Sequence, residues 1–549
     1  MTKLLSSRRR PGPIVLPVAY PTVFARRLSE FGKNVLADRW IPAYAGMTMM
    51  LLAGCTVGPD YRRPAAPVPA AYKEAWKPGP KEAGWRVGQP DDAIDRGAWW
   101  SVYHDPVLDG LERQIDISNQ NLKAAEAAFR QAEAIVAEAR AGFFPTAGID
   151  ASAARSRVGG AAAGAGRGGS GSISNVFSTT ASVGWAPDLW GRIRRTVEGN
   201  VASAQASAGE LAGARLSAQG QLATDYLQLR IADELKRLLE RSVKAYAEAL
   251  RIVKNQVQGG TADSSALAQA QAQLAGTRAQ LIAVGVTRAQ LEHAIAVLIG
   301  KPPAELTIAP VETEIAVPLI PAALPSALLE RRPDIATAER QMAAANAQIG
   351  VAEAAFYPDI TLSADVGTAA AMLARLFTAS SRIWSFGSSL AETIFDAGLR
   401  NAQVEQQRAA FEQSVAQYRQ TVLTAFQQVE DQLSGSRILA QQEKAQNEAV
   451  AAAREAERVI NNQYKAGTVA YTSVIVAQTT ALNAAVAAVN IRQNRLTASV
   501  ALIQALGGGW DAAQLPSRER IESDSPLNFS PLPPADAPPG FWDALPKLW

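Results

Sequence analysis

The chain has 549 residues, a formal net charge of +3, two histidines and one cysteine. A single cysteine excludes an intramolecular disulfide framework. His104 and His293 lie far apart without partners at metal-ligand spacing, so the sequence predicts no metal site. Residues 1–54 hold eight basic and two acidic side chains, and the remainder holds 46 basic and 49 acidic ones. A mature chain that is mildly acidic has no basic surface for nucleic acid.

The first predicted element is a secretory leader over residues 1–54, which ends at Cys55. Basic residues, an apolar stretch and small side chains precede the cysteine, as in a secretory signal. The order Leu51-Leu52-Ala53-Gly54-Cys55 resembles a bacterial lipobox, so we expect Cys55 to carry a covalent lipid anchor and to start the mature chain. The alternative is a lone buried cysteine beside an apolar run.

The chain then divides into an extended arm and two similar halves. Residues 55–104 are rich in proline and tryptophan, which is typical of a segment that lies along another surface. Phe143-Phe144-Pro145 recurs 213 residues later as Phe356-Tyr357-Pro358, and Gly260-Thr261 recurs 207 residues later as Gly467-Thr468. Such offsets predict an internal duplication. Its parts are a first repeat 105–300, a linker 301–325, a second repeat 326–507 and a tail 508–549.

Each half contains one predicted β-hairpin, at 144–187 and at 358–394. After Pro358 the residues alternate strictly between apolar and polar, which is the period of a strand with two different faces. We expect the connecting loops at 159–171 and at 368–381. Strands of about ten residues with this alternation are typical of an outer-membrane barrel. A soluble sandwich would show the same alternation.

Helices dominate the rest, so the predicted fold class is mostly α with a small β part. Each half begins with a helix, at 106–141 and 326–355, and continues after its hairpin with a long helix and a return helix. The predicted long helices are 190–258 and 396–465, and the return helices are 263–299 and 470–506. The apolar positions from Leu239 to Val257 step by four and three, as in an antiparallel coiled coil, and alanines from Ala445 to Val459 step likewise. A soluble helical bundle is the alternative.

Five segments together resemble the TolC-like outer-membrane factors of tripartite efflux pumps, in their nodulation-type (NodT) lipoprotein branch. The segments are Leu51–Cys55, Val57-Gly58-Pro59-Asp60-Tyr61, Leu329-Glu330-Arg331-Arg332-Pro333-Asp334-Ile335, Ala354-Ala355-Phe356-Tyr357-Pro358 and Ala505-Leu506-Gly507-Gly508-Gly509-Trp510. The resemblance implies a homotrimer in the outer membrane with one twelve-stranded barrel and a periplasmic tunnel. It also implies two partners, a periplasmic adaptor and an inner-membrane efflux transporter. Independently, four strands per chain are too few for a conduit, which needs at least three chains.

The resemblance places the adaptor contact at the turns between long and return helices, at Gly260, Thr261, Gly467 and Thr468. Glycine there would also serve simply to reverse the chain. In several relatives a ring of aspartates constricts the closed channel beyond the second turn. Here Ser473 and Val476 stand at that place, so we expect any constriction to be apolar or formed by Tyr471.

We find no nucleophile elbow and no phosphate loop in the sequence, and we predict that the chain is not an enzyme. The function that the resemblance implies is a passive exit duct, without cofactors, that passes small molecules from the transporter out of the cell. The alternatives are a structural coiled-coil lipoprotein without a pore and the duct of a type I protein secretion system.

Overall fold

The computed structural model describes residues 56–69, 71–74, 98–157, 173–311, 315–318, 320 and 328–523. These residues all belong to one compact unit, Cys55–Trp549. The predicted leader 1–54, the lipid-bearing Cys55, the first hairpin loop and the tail beyond residue 523 lie outside the described residues.

The described residues form nine α-helices and four strands, besides short 3-10 helices. In chain order they are α1 Pro106–Ser118, α2 Gln120–Ala141, β1 Thr146–Arg157, β2 Ile173–Trp185, α3 Arg192–Gln258, α4 Ser264–Leu298, α5 Leu328–Arg331, α6 Pro333–Ala354, β3 Asp359–Ala370, β4 Arg382–Ala391, α7 Leu399–Lys465, α8 Tyr471–Ala505 and α9 Arg518–Ile521. The chain is mostly helical with a small β part, as predicted.

The two predicted leading helices are each interrupted once. Asn119 has an extended backbone and its side chain accepts a hydrogen bond from the Leu122 amide, so it ends α1 and caps α2. Arg332 is extended because it precedes Pro333, which excludes the helical conformation at the residue before it. Both predictions of an unbroken helix, 106–141 and 326–355, were therefore wrong at one residue.

The long helices α3 and α7 have 67 residues each, and the return helices α4 and α8 have 35 each. At 1.5 Å per residue each long helix spans roughly 100 Å. Both return helices are long and apolar enough to cross a membrane by length and composition. In this chain, however, they pack along the long helices.

The heptad pattern identifies the side of α3 that packs within the chain, but it does not identify that side of α7. Leu239, Tyr246 and Val253 are buried against neighbouring helices as predicted. The predicted alanine seam on α7, from Ala445 to Val459, is exposed instead. The packed residues lie one position later and include Val450, which is 9% exposed. Alanine is frequent on both sides of this helix, so its spacing does not identify the packed side.

The four strands form one antiparallel sheet in the order β1-β2-β3-β4. The two hairpins join where β2 pairs with β3, with Val183 opposite Ala364. Strand β3 continues to Ala370, so the loop predicted at 368–381 begins at residue 371. The outer edges of β1 and β4 have no strand partner among the residues described.

One face of the sheet is apolar and the other carries hydroxyls and carboxylates. On the polar face Ser152 bonds Ser178 at 2.8 Å, and Ser385 donates to Asp365 at 2.8 Å. On the apolar face Ile149 and Trp384 are each 81% exposed. The predicted alternation is present, and no other described part of the chain covers the apolar face.

The main hydrophobic core lies where the leading helices meet the long ones. Trp99, Leu108, Tyr226 and Ile295 are fully buried there. The arm residues 56–69 and 71–74 pack beside this region without regular secondary structure. Tyr61 donates to Glu339 at 2.6 Å, and the backbone amides of Lys73 and Glu74 donate to the Glu430 carboxylate. This part of the predicted arm 55–104 is thus extended along the helices, whereas its last residues, Trp99–Tyr103, form a short 3-10 helix in the core.

Candidate functional site

The first turn at the end of the coiled coil is closed by Gly260. Its φ of +72° is a left-handed conformation that favours glycine. The Gly260 amide donates to the Val257 carbonyl at 3.1 Å, and the Thr261 amide donates to the Gln256 carbonyl at 2.8 Å. This pair of bonds is a Schellman motif, which satisfies the last carbonyls of α3.

The second turn repeats this geometry. Gly467 has a φ of +75°, its amide donates to Tyr464, and the Thr468 amide donates to Gln463 at 3.0 Å. In both turns the threonine hydroxyl donates to the same carbonyl as its own amide, at 3.0 Å. The threonines therefore stabilise the helix ends, while the two glycines and two threonines stay exposed.

The structure brings the two turns together. A small apolar cluster of Val253, Ala270, Tyr471 and Val474 lies just behind them. The rings of Tyr464 and Tyr471 are 5.3 Å apart, and the Tyr464 hydroxyl donates to the Gln256 side chain at 2.5 Å. The end of the coiled coil is thus one packed unit, which we call the tip, comprising residues 253–271 and 460–475.

The residues predicted for a constriction do not share one surface. Tyr471 is only 7% exposed and packs inside the tip, and this burial raises the pKa of its phenol. Within one chain Tyr471 therefore supports the packing of the tip, and its role in a constriction stays a prediction. Val476 is 65% exposed and Ser473 is half-buried. No charged residue occurs from Tyr471 to Ile491, so this stretch of α8 offers no acidic ring.

Two aspartates at the junction between sheet and long helices escaped the sequence analysis. Asp188 accepts from the Ile193 and Arg194 amides, and Asp396 accepts from the Gly398 and Arg400 amides. Arg194 and Arg400 also bind these carboxylates with their side chains. The two aspartates lie 208 residues apart, one residue from the 207-residue repeat offset, so aligning the two halves near that offset would have found them.

A buried arginine holds the start of the arm. Arg195 is 4% exposed and donates to the Val57 and Gly58 carbonyls and to the Asp60 carboxylate at 2.9 to 3.1 Å. A Cβ added at Gly58 would lie 2.4 Å from the Gly350 Cα atom, so only glycine fits there. The Val57-Gly58-Pro59-Asp60 motif is explained by this contact.

Two further motifs of the sequence meet each other. The Arg332 side chain donates to the Ala505 carbonyl at 3.1 Å and pairs with Asp334 at 2.6 Å. A Cβ at Gly507 would lie 2.0 Å from the Arg331 carbonyl oxygen. The arginine-proline motif and the glycine-rich motif are therefore two sides of one structural contact. Within the described ranges, no group of three His, Cys, Asp or Glu residues could hold a metal ion.

The outer membrane efflux protein family matches residues 112–301 and 324–508. The chain belongs to this family. The probable efflux pump outer membrane protein TtgC of Pseudomonas putida is 31% identical over 467 residues, which cover 84% of this chain and 94% of that protein.

Two further relatives agree. The pyoverdine export outer membrane protein OpmQ of Pseudomonas aeruginosa is 32% identical, over 79% of this chain and 94% of that protein. The solved structure of the outer-membrane channel OprN aligns with a TM-score of 0.73 and 29% identity, and covers 83% of this chain and all of that one. The TolC-like resemblance seen in the sequence is confirmed, and so is the outer-membrane location. The family consists of channels, not enzymes.

Proposed function

We propose that this protein is the exit duct of a tripartite efflux system that passes small molecules through the outer membrane. The observation that carries the proposal is the joining, in one chain, of a sheet with an uncovered apolar face to coiled-coil helices of 67 residues. The first part suits lipid and the second suits the periplasm. The similarity to TtgC, a probable efflux pump outer membrane protein, and to OpmQ, a pyoverdine export outer membrane protein, supports this role.

The duct is a homotrimer in this proposal. Strands β1 and β4 leave open edges, and unsatisfied backbone groups in lipid cost several kcal/mol each. Three chains supply twelve strands, which is enough to enclose a passage. Two equal sets of helices and two separate matches to one family support an internal duplication behind this arrangement.

The function is tested by recording ion conductance of the purified full chain in planar bilayers. The proposal predicts discrete channels that reach higher conductance when the tip is loosened, for example by Tyr471→Ala in the cluster behind the turns. A structural lipoprotein would give no channels at all. Since TtgC is named for an efflux pump and OpmQ for the export of pyoverdine, we place protein secretion second.

The lipid anchor on Cys55 is a separate proposal. Blocking lipoprotein signal cleavage with globomycin, or changing Cys55→Ser, should leave a larger precursor without incorporated palmitate. Unchanged palmitate labelling of the Cys55→Ser chain would show that the anchor is elsewhere or absent.

We propose that the tip binds the helical hairpins of a periplasmic adaptor, which in turn joins an inner-membrane transporter. Gly260, Thr261, Gly467 and Thr468 support this role because they are exposed, and a Cβ at either glycine would meet no atom within 4 Å. Thr468→Ser keeps the hydroxyl that stabilises the turn, whereas a bulky cysteine-linked label on Thr468→Cys blocks the surface. Loss of adaptor cross-linking with the label, but not with serine, is the expected result.

We also propose that the closed duct has no ring of carboxylates beyond the tip. Closed channels should be insensitive to divalent cations or trivalent cobalt complexes added from the periplasmic side, and Val476→Asp should create a cation block. Strong block of the parent channel would contradict this and would point to Asp263, which is exposed at the first turn.

A further inference from the structure

The end of the sheet that lies away from the helices carries only positive charge. Arg155 and Arg157 are near the end of β1, Arg382 begins β4, and Arg375 lies in the loop between β3 and β4. The sequence contains no aspartate or glutamate in 151–180 or in 366–391. The carboxylates of the sheet, Asp150, Asp359 and Asp365, all lie nearer to the helices.

Three of these arginines lie on the apolar face. Arg155 and Arg157 continue the alternation of Ile149 and Ala153, and neighbouring residues of a strand point to opposite faces. Arg382 pairs with Thr368, two positions from the pair of Trp384 and Val366. All three therefore share the face on which Trp384 is 81% exposed. We call Arg155, Arg157 and Arg382 the rim arginines.

The rim arginines have no partner of opposite charge among the residues described. All three are exposed, and none takes part in an ion pair there. The sequence of the first hairpin loop, 158–172, contains no carboxylate either. In the second loop the apolar side chains of Leu373 and Phe377 are 64% and 80% exposed close to Arg375. Arginine beside exposed apolar groups matches the chemistry of a lipid headgroup region.

Position in a membrane decides what these charges can bind. An arginine on the lipid-facing side of a barrel is costly at the middle of the hydrocarbon and is tolerated at the interface. At the interface the planar guanidinium can donate two parallel hydrogen bonds to one phosphate. Arg155 and Arg157 lie about 7 Å apart along one face, so they can bind two phosphate groups at once.

We propose that the rim arginines bind the phosphate groups of the anionic glycolipid in the outward leaflet of the outer membrane. The inference rests on the proposed function, since it needs the sheet to form part of an outer-membrane barrel. The lipid would fix the height of the barrel in the membrane, with Trp384 and Ile149 in the hydrocarbon and the arginines in the phosphate layer.

The test compares two triple variants of the full chain. Arg155→Gln, Arg157→Gln and Arg382→Gln together remove the rim charges. The matched control, Arg113→Gln, Arg251→Gln and Arg458→Gln, removes three exposed charges from the helices. The probe is fluorescent lipopolysaccharide, intact or dephosphorylated, titrated onto the purified channel in detergent.

The rim variant should bind intact lipopolysaccharide about a hundredfold more weakly than the parent, since each arginine near an anionic lipid surface contributes about fivefold. The control should bind like the parent, and the parent should bind the dephosphorylated lipid as weakly as the rim variant binds the intact one. Equal affinity of parent and rim variant would overturn the inference. Displacement of the lipid by millimolar inorganic phosphate would also overturn it, because the site would then accept soluble phosphate.

Conductance separates this inference from the proposed function. If the rim variant forms channels like the parent and still binds the lipid normally, the lipid site is wrong and the duct stands. If the parent forms no channels, the proposed function has failed. A rim variant with three lysines keeps the charge but loses the paired hydrogen bonds. The lysine variant should fold whenever the glutamine variant does. Its affinity for intact lipopolysaccharide should lie between those of the parent and the glutamine variant, and an affinity below that of the glutamine variant would contradict the phosphate contact.

Discussion

The helical core and the four-stranded sheet differ in how far their apolar side chains are buried. In the core Trp99, Tyr226 and Ile295 are fully buried within one chain. In the sheet Ile149 and Trp384 are 81% exposed, although they belong to well-paired strands. The core therefore gains most of its stabilisation inside the chain. Among the described residues the outer strand edges and the apolar face of the sheet have no such cover, so in the proposed trimer they would depend on lipid and on other chains.

The largest expected loss of stability comes from substituting a buried charged residue of the helical core. Asp233 is 2% exposed and binds Arg288 at 2.7 Å and Arg230 at 3.4 Å. Asp233→Ala would leave the buried Arg230 without its carboxylate partner and Arg288 with Glu292 alone, which costs about 4 kcal/mol. Urea unfolding of the purified chain should show this loss. Glu248→Ala, which removes a pair of similar geometry from an exposed position, should change stability little; equal losses would mean that burial does not matter here.

A charge placed on the sheet should act through the membrane and not through the fold. Val366 is 62% exposed on the apolar face, and Val366→Arg should lower the stability of the assembled channel in vesicles by about 3 kcal/mol. Thr180 lies on the polar face opposite Asp150, so the control substitution Thr180→Arg should be tolerated. If both substitutions are tolerated in vesicles, the apolar face does not contact lipid.

A third prediction concerns the pH dependence of the stability of the core. Glu112 is fully buried, both carboxyl oxygens lack a hydrogen-bond partner, and burial, with Asp116 and Asp109 nearby, raises the pKa of its carboxyl to about 9. Between its ordinary pKa of 4.5 and about 9 the unfolded chain binds fewer protons at this group, so the stability falls as pH rises.

Glu112→Gln should therefore stabilise the chain at pH 7.5 and change its stability little at pH 4. Thermal unfolding at the two pH values measures the difference, with exposed Glu412→Gln as the control. A gain of the same size at both pH values would exclude ionisation as the cause.

The smallest effect is expected at the tip. Thr468→Val removes the hydroxyl that donates to the Gln463 carbonyl, but the exposed carbonyl can bind water instead. The loss should be about 0.5 kcal/mol, near the lower limit for a hydrogen bond. Hydrogen exchange of the Thr468 amide would detect the local opening. Global destabilisation as large as that of Asp233→Ala would mean that the tip controls the whole fold.

The sequence predicts the periodic parts of this molecule well, because heptads and alternating strands repeat often enough to average out exceptions. Both 67-residue helices begin and end within about three residues of their predicted bounds. Single contacts between distant segments were not predictable in the same way. Nothing local to Arg195 indicates that it binds Asp60, and nothing local to Tyr471 indicates that its ring packs on Tyr464. Those contacts depend on how the helices are placed side by side.

The claim that the sheet is an incomplete part of a shared barrel is tested most directly by counting chains. Native mass spectrometry of the full protein, released from detergent micelles under mild conditions, should give a mass of three lipidated chains and little monomer. The account predicts that the trimer persists until the strands unfold. A stable monomer that keeps its strand content, measured by circular dichroism in the same detergent, would contradict it.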